Sequence, residues 1–159
     1  MKKFELTTDT KMLLGRKLFR IKALISFGNV GAGDMGGYIE KEENLSQSGN
    51  AWVSGNAKVS GDAEVSGDAE VYGNAKVSGN AEVSGNADYA TASGFGSEYR
   101  TTTFFKLKNS DEIGVRCGCF YGTLKEFRAK VKETHGESKK AKEYLMLADL
   151  MEYRFLEEK

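Results

Sequence analysis

The middle third of the chain repeats one pattern of apolar and polar positions every six residues. The phrase V-[SY]-G-[ND]-A-[KED] occurs six times in succession, beginning at Val53. A helix of 3.6 residues per turn would scatter these valines around its surface, and one Val and one Ala in six are too sparse for a plain hairpin. Three phrases can instead form one 18-residue coil, with Val and Ala inward and Gly with Asn or Asp at each corner. We therefore expect short parallel strands that pair with strands 18 residues away.

The N-terminal flank has a different pattern. The stretches "FEL" and "LFRIKAL" alternate apolar and polar residues, which is typical of half-buried strands. The glycine-rich loop "GNVGAGDMGG" follows them. Open ends of stacked strands need covering. This flank is therefore predicted to be a β cap.

The C-terminal flank combines strand and helix patterns. "TTFFKLK" and "EIGVRCGCF" predict two strands. Thr123 and Glu126 have the spacing of a capping box, which opens a helix with Leu124, Phe127 and Val131 on one face. Gly136 ends that helix, and a second helix is predicted for residues 138–155. Two strands and two helices make a small α+β module that can pack over the other end of the coil.

These patterns predict a mainly β fold with three domains. Residues 1–46 are the β cap with its glycine-rich loop, 47–95 a parallel β-helix of hexapeptide repeats, and 96–159 the α+β module. No apolar run is long enough for a transmembrane helix or a signal peptide. Two cysteines are too few for a disulfide framework, so we expect the reducing cytoplasm of a bacterial host.

The chain resembles known proteins in three places. The repeated phrase resembles the hexapeptide repeat of left-handed parallel β-helices, and this resemblance, not the spacing, implies left-handed coiling. The leader "FRIKALISFGNVGAGDMGGYIEKEENLSQSGNAWV" resembles that of a group of phage and prophage proteins. The tail "CGCFYGTLKEFRAKVKETHGESKKAKEYL" resembles a small module of phage proteins. Together they imply an origin in a phage or mobile element, and they bring no known activity.

Charge is distributed unevenly along the chain. The 23 basic and 23 acidic residues cancel, but residues 47–95 hold six acids and two lysines, a net charge of −4. With an 18-residue stack, Glu64 lies beside Glu82, and Trp52, Glu70 and Asp88 share another face. These acidic faces are either a solvated surface or a docking site for a basic partner. Trp52 would serve that site as an aromatic anchor, unless it contacts the N-terminal cap.

A second candidate patch lies in the tail. Lys139, Lys140 and Lys142 cluster near the turn between the two predicted helices and could contact phosphate or an acidic partner. Acidic residues at 133, 137 and 143 alternate with them, so a solvated face is the competing interpretation.

No catalytic residue, cofactor or metal site is predicted. The GxGxxG match at residues 31–36 lacks the helix that a dinucleotide site needs, so a turn of the cap is preferred. Acyltransferases with hexapeptide repeats use a histidine of the coil, whereas the single His135 lies in the tail. Cys117 and Cys119 with His135 are too few ligands for zinc, and we expect the cysteines to be buried on a strand.

The sequence thus favours a non-enzymatic binding protein of phage origin. The hypothesis is an inhibitor of a host defence system, such as an anti-CRISPR protein, that contacts a host protein or ribonucleoprotein. A self-assembling structural protein and, less favoured, an acyltransferase-like enzyme are the alternatives. Association with further copies of the chain would support the structural alternative.

Overall fold

The computed structural model describes residues 2–95 and 100–156. The first strands are β1 (Phe4–Leu13), β2 (Arg16–Ala23) and β3 (Met35–Ile39). The repeats supply six two-residue strands, β4 (Trp52–Val53), β5 (Lys58–Val59), β6 (Glu64–Val65), β7 (Glu70–Val71), β8 (Lys76–Val77) and β9 (Glu82–Val83). The remaining elements are β10 (Tyr89–Phe95), β11 (Arg100–Lys106), β12 (Ile113–Cys117), β13 (Phe120–Thr123), α1 (Leu124–His135) and α2 (Lys139–Leu156). Short 3₁₀ turns lie at Glu42–Asn44 and Asn86–Asp88.

The N-terminal strands form an antiparallel hairpin that is longer than predicted. Strand β1 pairs with β2 through the polar stretch that separates the two predicted strands, and β2 pairs with β3. Leu14 and Gly15 close the hairpin with φ of 49° and 82°, which is the backbone of a two-residue type I′ turn. Strand β3 then pairs in parallel with β5, which joins the hairpin to the repeats.

Within residues 47–95, called the repeat segment below, the Val of each phrase and the residue before it form a two-residue strand. In the first five phrases a glycine turn follows this strand. Gly67 and Gly73, for example, have φ of 63° and 68°, a region that favours glycine. The strands pair in parallel with those 18 residues away: Trp52 with Glu70, Lys58 with Lys76, and Glu64 with Glu82. The Val side chains of all six phrases and the Ala side chains of the first five point into a shared core.

The predicted fold class, a mainly β protein built on a left-handed parallel β-helix, is wrong. The described residues form a mixed α/β protein of small sheets and two helices, without a solenoid. The five-stranded sheet β1-β2-β3-β5-β8 is mixed, the sheet β10-β11-β12-β13 is antiparallel, and β4-β7 and β6-β9 are two-stranded. The physical reason is that each phrase has only two extended residues before its glycine turn. The longer strands therefore all come from outside the six phrases.

The C-terminal part packs two helices on an antiparallel sheet of four strands, where the sequence predicted two strands. Helix α1 begins at the predicted capping box: Thr123 Oγ1 accepts from the Glu126 N–H, and the Glu126 carboxylate accepts from the Thr123 N–H. Leu124, Phe127 and Val131, the predicted inner residues of α1, are buried. We call residues 100–156 the C-terminal module; the predicted boundary at residue 96 lies outside the described residues.

Strand β11 joins the C-terminal module to the last repeats. Phe105 is fully buried in the same core as the repeat valines, whereas Phe104 lies in the core of the module. The Lys108 N–H donates to the Asn80 carbonyl at 2.9 Å, and the Lys76 N–H donates to Thr103 Oγ1 at 2.9 Å. The module therefore covers one end of the repeat segment.

Candidate binding surfaces

The first predicted acidic face is present but partly neutralised. Glu64 and Glu82 are paired neighbours, and both side chains are exposed. Lys108 of the C-terminal module forms an ion pair with Glu64, and its Nζ also donates to the Asp62 carbonyl at 2.5 Å. Among the described residues, no lysine pairs with Glu82, the other acid of this pair.

The predicted exposure of Trp52 is wrong. Its side chain is only 6% exposed, and its ring meets Phe27 edge-on with the centroids 5.3 Å apart. Gly36 packs so closely that an added Cβ would lie 2.7 Å from the Trp52 ring. Contact with the N-terminal segment, the alternative interpretation, is the one the structure shows. Trp52 cannot act as an exposed anchor in this arrangement.

Asp88 also departs from its predicted place beside Glu70. It belongs to a 3₁₀ turn, where its carboxylate accepts from the Ser84 N–H and hydroxyl at 2.9 Å and lies 3.2 Å from Lys106 Nζ. Partial burial opposes ionisation, but the bonds from Ser84 and the charge of Lys106 hold the pKa of Asp88 below its usual value. Asp88 therefore stabilises this turn.

Glu70 remains exposed at the rim of an open cleft of about 660 Å³ between the repeat segment and α2. The Tyr89 hydroxyl, inside the cleft, donates to the Glu70 carbonyl at 2.5 Å, and burial raises the pKa of Tyr89 to about 12. Tyr72 replaces the serine found in the other five phrases and is well exposed there. The cleft is lined by Glu70, Tyr72, Asn86, Tyr89, Thr91 and Arg154.

The second predicted patch is exposed. Lys139, Lys140 and Lys142 lie in the first turns of α2, with their side chains in solvent. Positive charge at the amino end of a helix is unfavourable for its dipole. Their role in binding stays a prediction.

The glycine motif, the two cysteines and the histidine lie in separate local environments. Strand β3 begins at Met35, so a strand and not a helix follows the GxGxxG match. Cys117 is half-buried, but Cys119 is exposed, and its predicted burial is wrong. His135 stacks against Tyr144 with the centroids 5.9 Å apart. Residues 2–95 and 100–156 contain no group of three side chains placed to hold a metal ion.

One surface was missed by the sequence reasoning. Met146, Leu150 and Tyr153 lie on the outer face of α2, with 70%, 55% and 68% of their surface exposed. Their spacing of four and three residues puts them on a single stripe, opposite the buried face with Ala148 and Met151. Helix α2 is thus apolar on two faces. This helical spacing is visible in the sequence and could have indicated the exposed surface. We call these three residues the α2 stripe.

Comparison with family models and with curated proteins found no match for this chain. In the described part of the chain, neither helix has the length and apolar character needed to cross a membrane.

Proposed function

We propose that the protein is a non-enzymatic inhibitor of a host defence system, in the manner of an anti-CRISPR protein. It acts by contact between the α2 stripe and a protein of that system. The observation that carries this proposal is the exposure of the stripe, because soluble proteins rarely leave neighbouring large apolar side chains uncovered unless they bind something.

The geometry of the stripe suits insertion of the helix into an apolar groove. Anchors four and three residues apart on one helix face are typical of that mode of recognition. Beside the stripe, Arg128 of α1 holds Asp149 at 2.9 Å and Glu152 at 2.7 Å. These ion pairs supply the polar rim that surrounds the apolar centre of an interface.

The defence-related part of the proposal rests on the resemblance of the leader and tail to phage proteins. A phage protein that binds a host protein through one helix face can block it without chemistry. Glu70 and Glu82 are the acids of the predicted acidic site that are exposed and form no ion pair among the described residues. They would serve as a secondary contact with a basic partner.

The test is phage plating on a panel of hosts, each carrying one defence system that targets the phage. Expression of the protein should restore plating on one of them. The variant Met146→Gln/Leu150→Gln/Tyr153→Gln should not restore it. The matched control, Lys125→Gln/Lys132→Gln/Glu133→Gln, changes three exposed residues of α1 and should act as the unmodified protein.

Two results would contradict the proposal: no effect of the protein on any defence system, or full activity of the α2 variant. The stripe also favours a second candidate, self-association of the chain. Sedimentation that shows a dimer or larger assembly, converted to monomer by the α2 variant, would support that alternative.

A further inference from the structure

The outer face of the five-stranded sheet carries a row of cationic side chains. Arg20 of β2 is paired with Tyr38 of β3, Tyr38 with Lys58 of β5, and Lys58 with Lys76 of β8. Directly paired residues lie on the same face of a sheet. The next residues of β3, β5 and β8 are Ile39, Val59 and Val77, which point into the core. The row therefore lies on the face away from the core.

Lys11 of β1 joins this row. Its Nζ lies 4.8 Å from the centroid of the Tyr38 ring, and the Arg20 guanidinium carbon lies 5.7 Å from it. Tyr38 is buried beneath these cations, and the face of its ring attracts them through cation–π interactions. We call Lys11, Arg20, Lys58 and Lys76 the basic row.

Few carboxylates compensate the basic row. Asp9 lies 3.6 Å from Arg20, and nearby Glu40 is engaged by Arg16 at 2.8 Å. In the described ranges, Lys11, Lys58 and Lys76 form no ion pair. Burial lowers the pKa of Lys58, and the charges of Lys11 and Lys76 lower it further. The row is thus a site of unbalanced positive charge.

The repeat itself does not require these lysines. The same position of the phrase holds glutamate in Glu64, Glu70 and Glu82, so either sign fits the backbone. Lys58 and Lys76 occupy neighbouring parallel strands, about 4.8 Å apart, where like charges destabilise the pair. A glutamate at one of the two positions would have replaced repulsion with attraction. An anion bound beside both lysines would offset their mutual repulsion.

We propose that the basic row binds closely spaced phosphate groups, as in the phosphate chain of a nucleotide or the backbone of a nucleic-acid strand. Each lysine ammonium is a compact charge with three donors, which suits phosphate oxygens. The row contains no exposed aromatic ring for stacking a base, since Tyr38 is buried. Binding should therefore depend on phosphate and little on the base. This inference is independent of the proposed contact through α2.

The test measures binding of two probes to the full chain at low salt, about 50 mM, where phosphate contacts are strong. Inorganic triphosphate is measured by calorimetry and a short labelled DNA strand by fluorescence anisotropy. The variant Lys58→Gln/Lys76→Gln is compared with Lys125→Gln/Lys132→Gln, which has the same net charge and changes two exposed lysines of α1. We expect the first variant to bind about tenfold more weakly and the second to match the unmodified protein.

The two probes distinguish the source of the phosphate. Tighter binding of triphosphate indicates a nucleotide, and tighter binding of the strand indicates a nucleic-acid backbone. The proposal is overturned if the unmodified protein binds neither probe, or if the two variants bind equally.

Thermal melting shows whether a loss of binding is caused by a loss of folding. The probe that binds should raise the melting temperature of the unmodified protein and leave that of Lys58→Gln/Lys76→Gln unchanged. Without a probe, this variant should melt no lower than the unmodified protein, because a like-charge repulsion is removed. A third variant, Lys58→Arg/Lys76→Arg, keeps the charge and should retain binding; its loss of binding together with a normal melt would overturn the proposal.

Discussion

The cores of the repeat segment and the C-terminal module differ in their residue types. The repeat core consists largely of Val and Ala, and each two-residue strand is held by backbone hydrogen bonds to a strand 18 residues away. The module core contains packed aromatic rings: Phe127 contacts Phe104 and Tyr144 edge-on, with ring centroids 6.2 and 5.7 Å apart. No single phrase can bury its own apolar residues. The repeat segment therefore depends on its neighbours, whereas the module contains a core of its own.

Strand β11 connects these two cores. Its adjacent residues Phe104 and Phe105 point to opposite sides, one into the module and the other into the repeat core. The module therefore does more than attach to the repeats, because it supplies Phe105, a fully buried ring, to the end of their core.

The largest effect should follow from removing the module. Without residues 97–159 the repeat core loses Phe105 and the backbone bond from Lys108 to Asn80. Exposed strand edges and apolar surface then favour aggregation. Size-exclusion chromatography should show aggregated or insoluble protein. A soluble, monomeric truncation that melts at the same temperature would show that the repeat segment is independent.

A charge inside the repeat core should have the next largest effect. Val65 is almost fully buried, next to Val83 of the paired strand. Val65→Asp places a carboxylate there without a partner and should cost several kcal/mol of unfolding free energy. Ser66→Asp, at the neighbouring half-buried position, is the control and should cost much less. Equal melting temperatures would refute the inward orientation of the valines.

Two turn glycines allow a finer test of the contact between neighbouring phrases. Gly67 and Gly73 share the same left-handed backbone, but an added Cβ at Gly67 would overlap the Ser84 carbonyl oxygen, and at Gly73 it meets nothing within 4 Å. Gly73→Ala should cost about 1–2 kcal/mol for the backbone alone. Gly67→Ala should cost measurably more in urea unfolding. Equal costs would mean that the two phrases are not packed as closely as described.

The last effect depends on pH and concerns the other end of the repeat segment. The Lys3 ammonium is buried and donates to the Ala51 carbonyl at 2.7 Å, and burial lowers its pKa from 10.5 to about 8. Below pH 8 the lysine is protonated in both states, and the folded protein bears the full cost of burying the charge. Between pH 8 and 10.5 the unfolded chain binds more protons, so stability rises with pH.

The variant Lys3→Met should lack this contribution. The difference in unfolding free energy between the unmodified protein and the variant should therefore shift in favour of the unmodified protein as pH rises from 8 toward 10.5. Urea unfolding of both proteins across this range measures it. A constant difference would mean that Lys3 does not titrate in this range.

The strictly local patterns were predicted well. The 18-residue pairing follows from six nearly identical phrases, and the start of α1 follows from the capping box of Thr123 and Glu126. Both depend on residues close in sequence or on exact repetition. The fold class failed because it was set by the repeat alone, whereas residues outside the six phrases supply the longer strands and both helices.

The candidate site was predicted less well because it depends on contacts that are distant in sequence. Phe27 covers Trp52, and Lys108 pairs with Glu64. In both cases the two residues lie in segments whose sequence patterns do not indicate that they meet. Asp88 left its expected place because Tyr89 follows it where the phrase would have Val, and a 3₁₀ turn forms there. The α2 stripe was readable from helical spacing, but a second apolar face was not considered.

The most direct test of the proposed function compares the two regions in one plating assay. On the host whose defence the protein inhibits, the α2 variant is measured against Glu70→Lys/Glu82→Lys, which reverses the exposed acids of the repeat segment. We expect the α2 variant to lose the inhibition and the charge-reversed variant to lose at most part of it. Full inhibition by the α2 variant, with loss in the charge-reversed one, would contradict binding through α2 and place the binding site on the repeat segment.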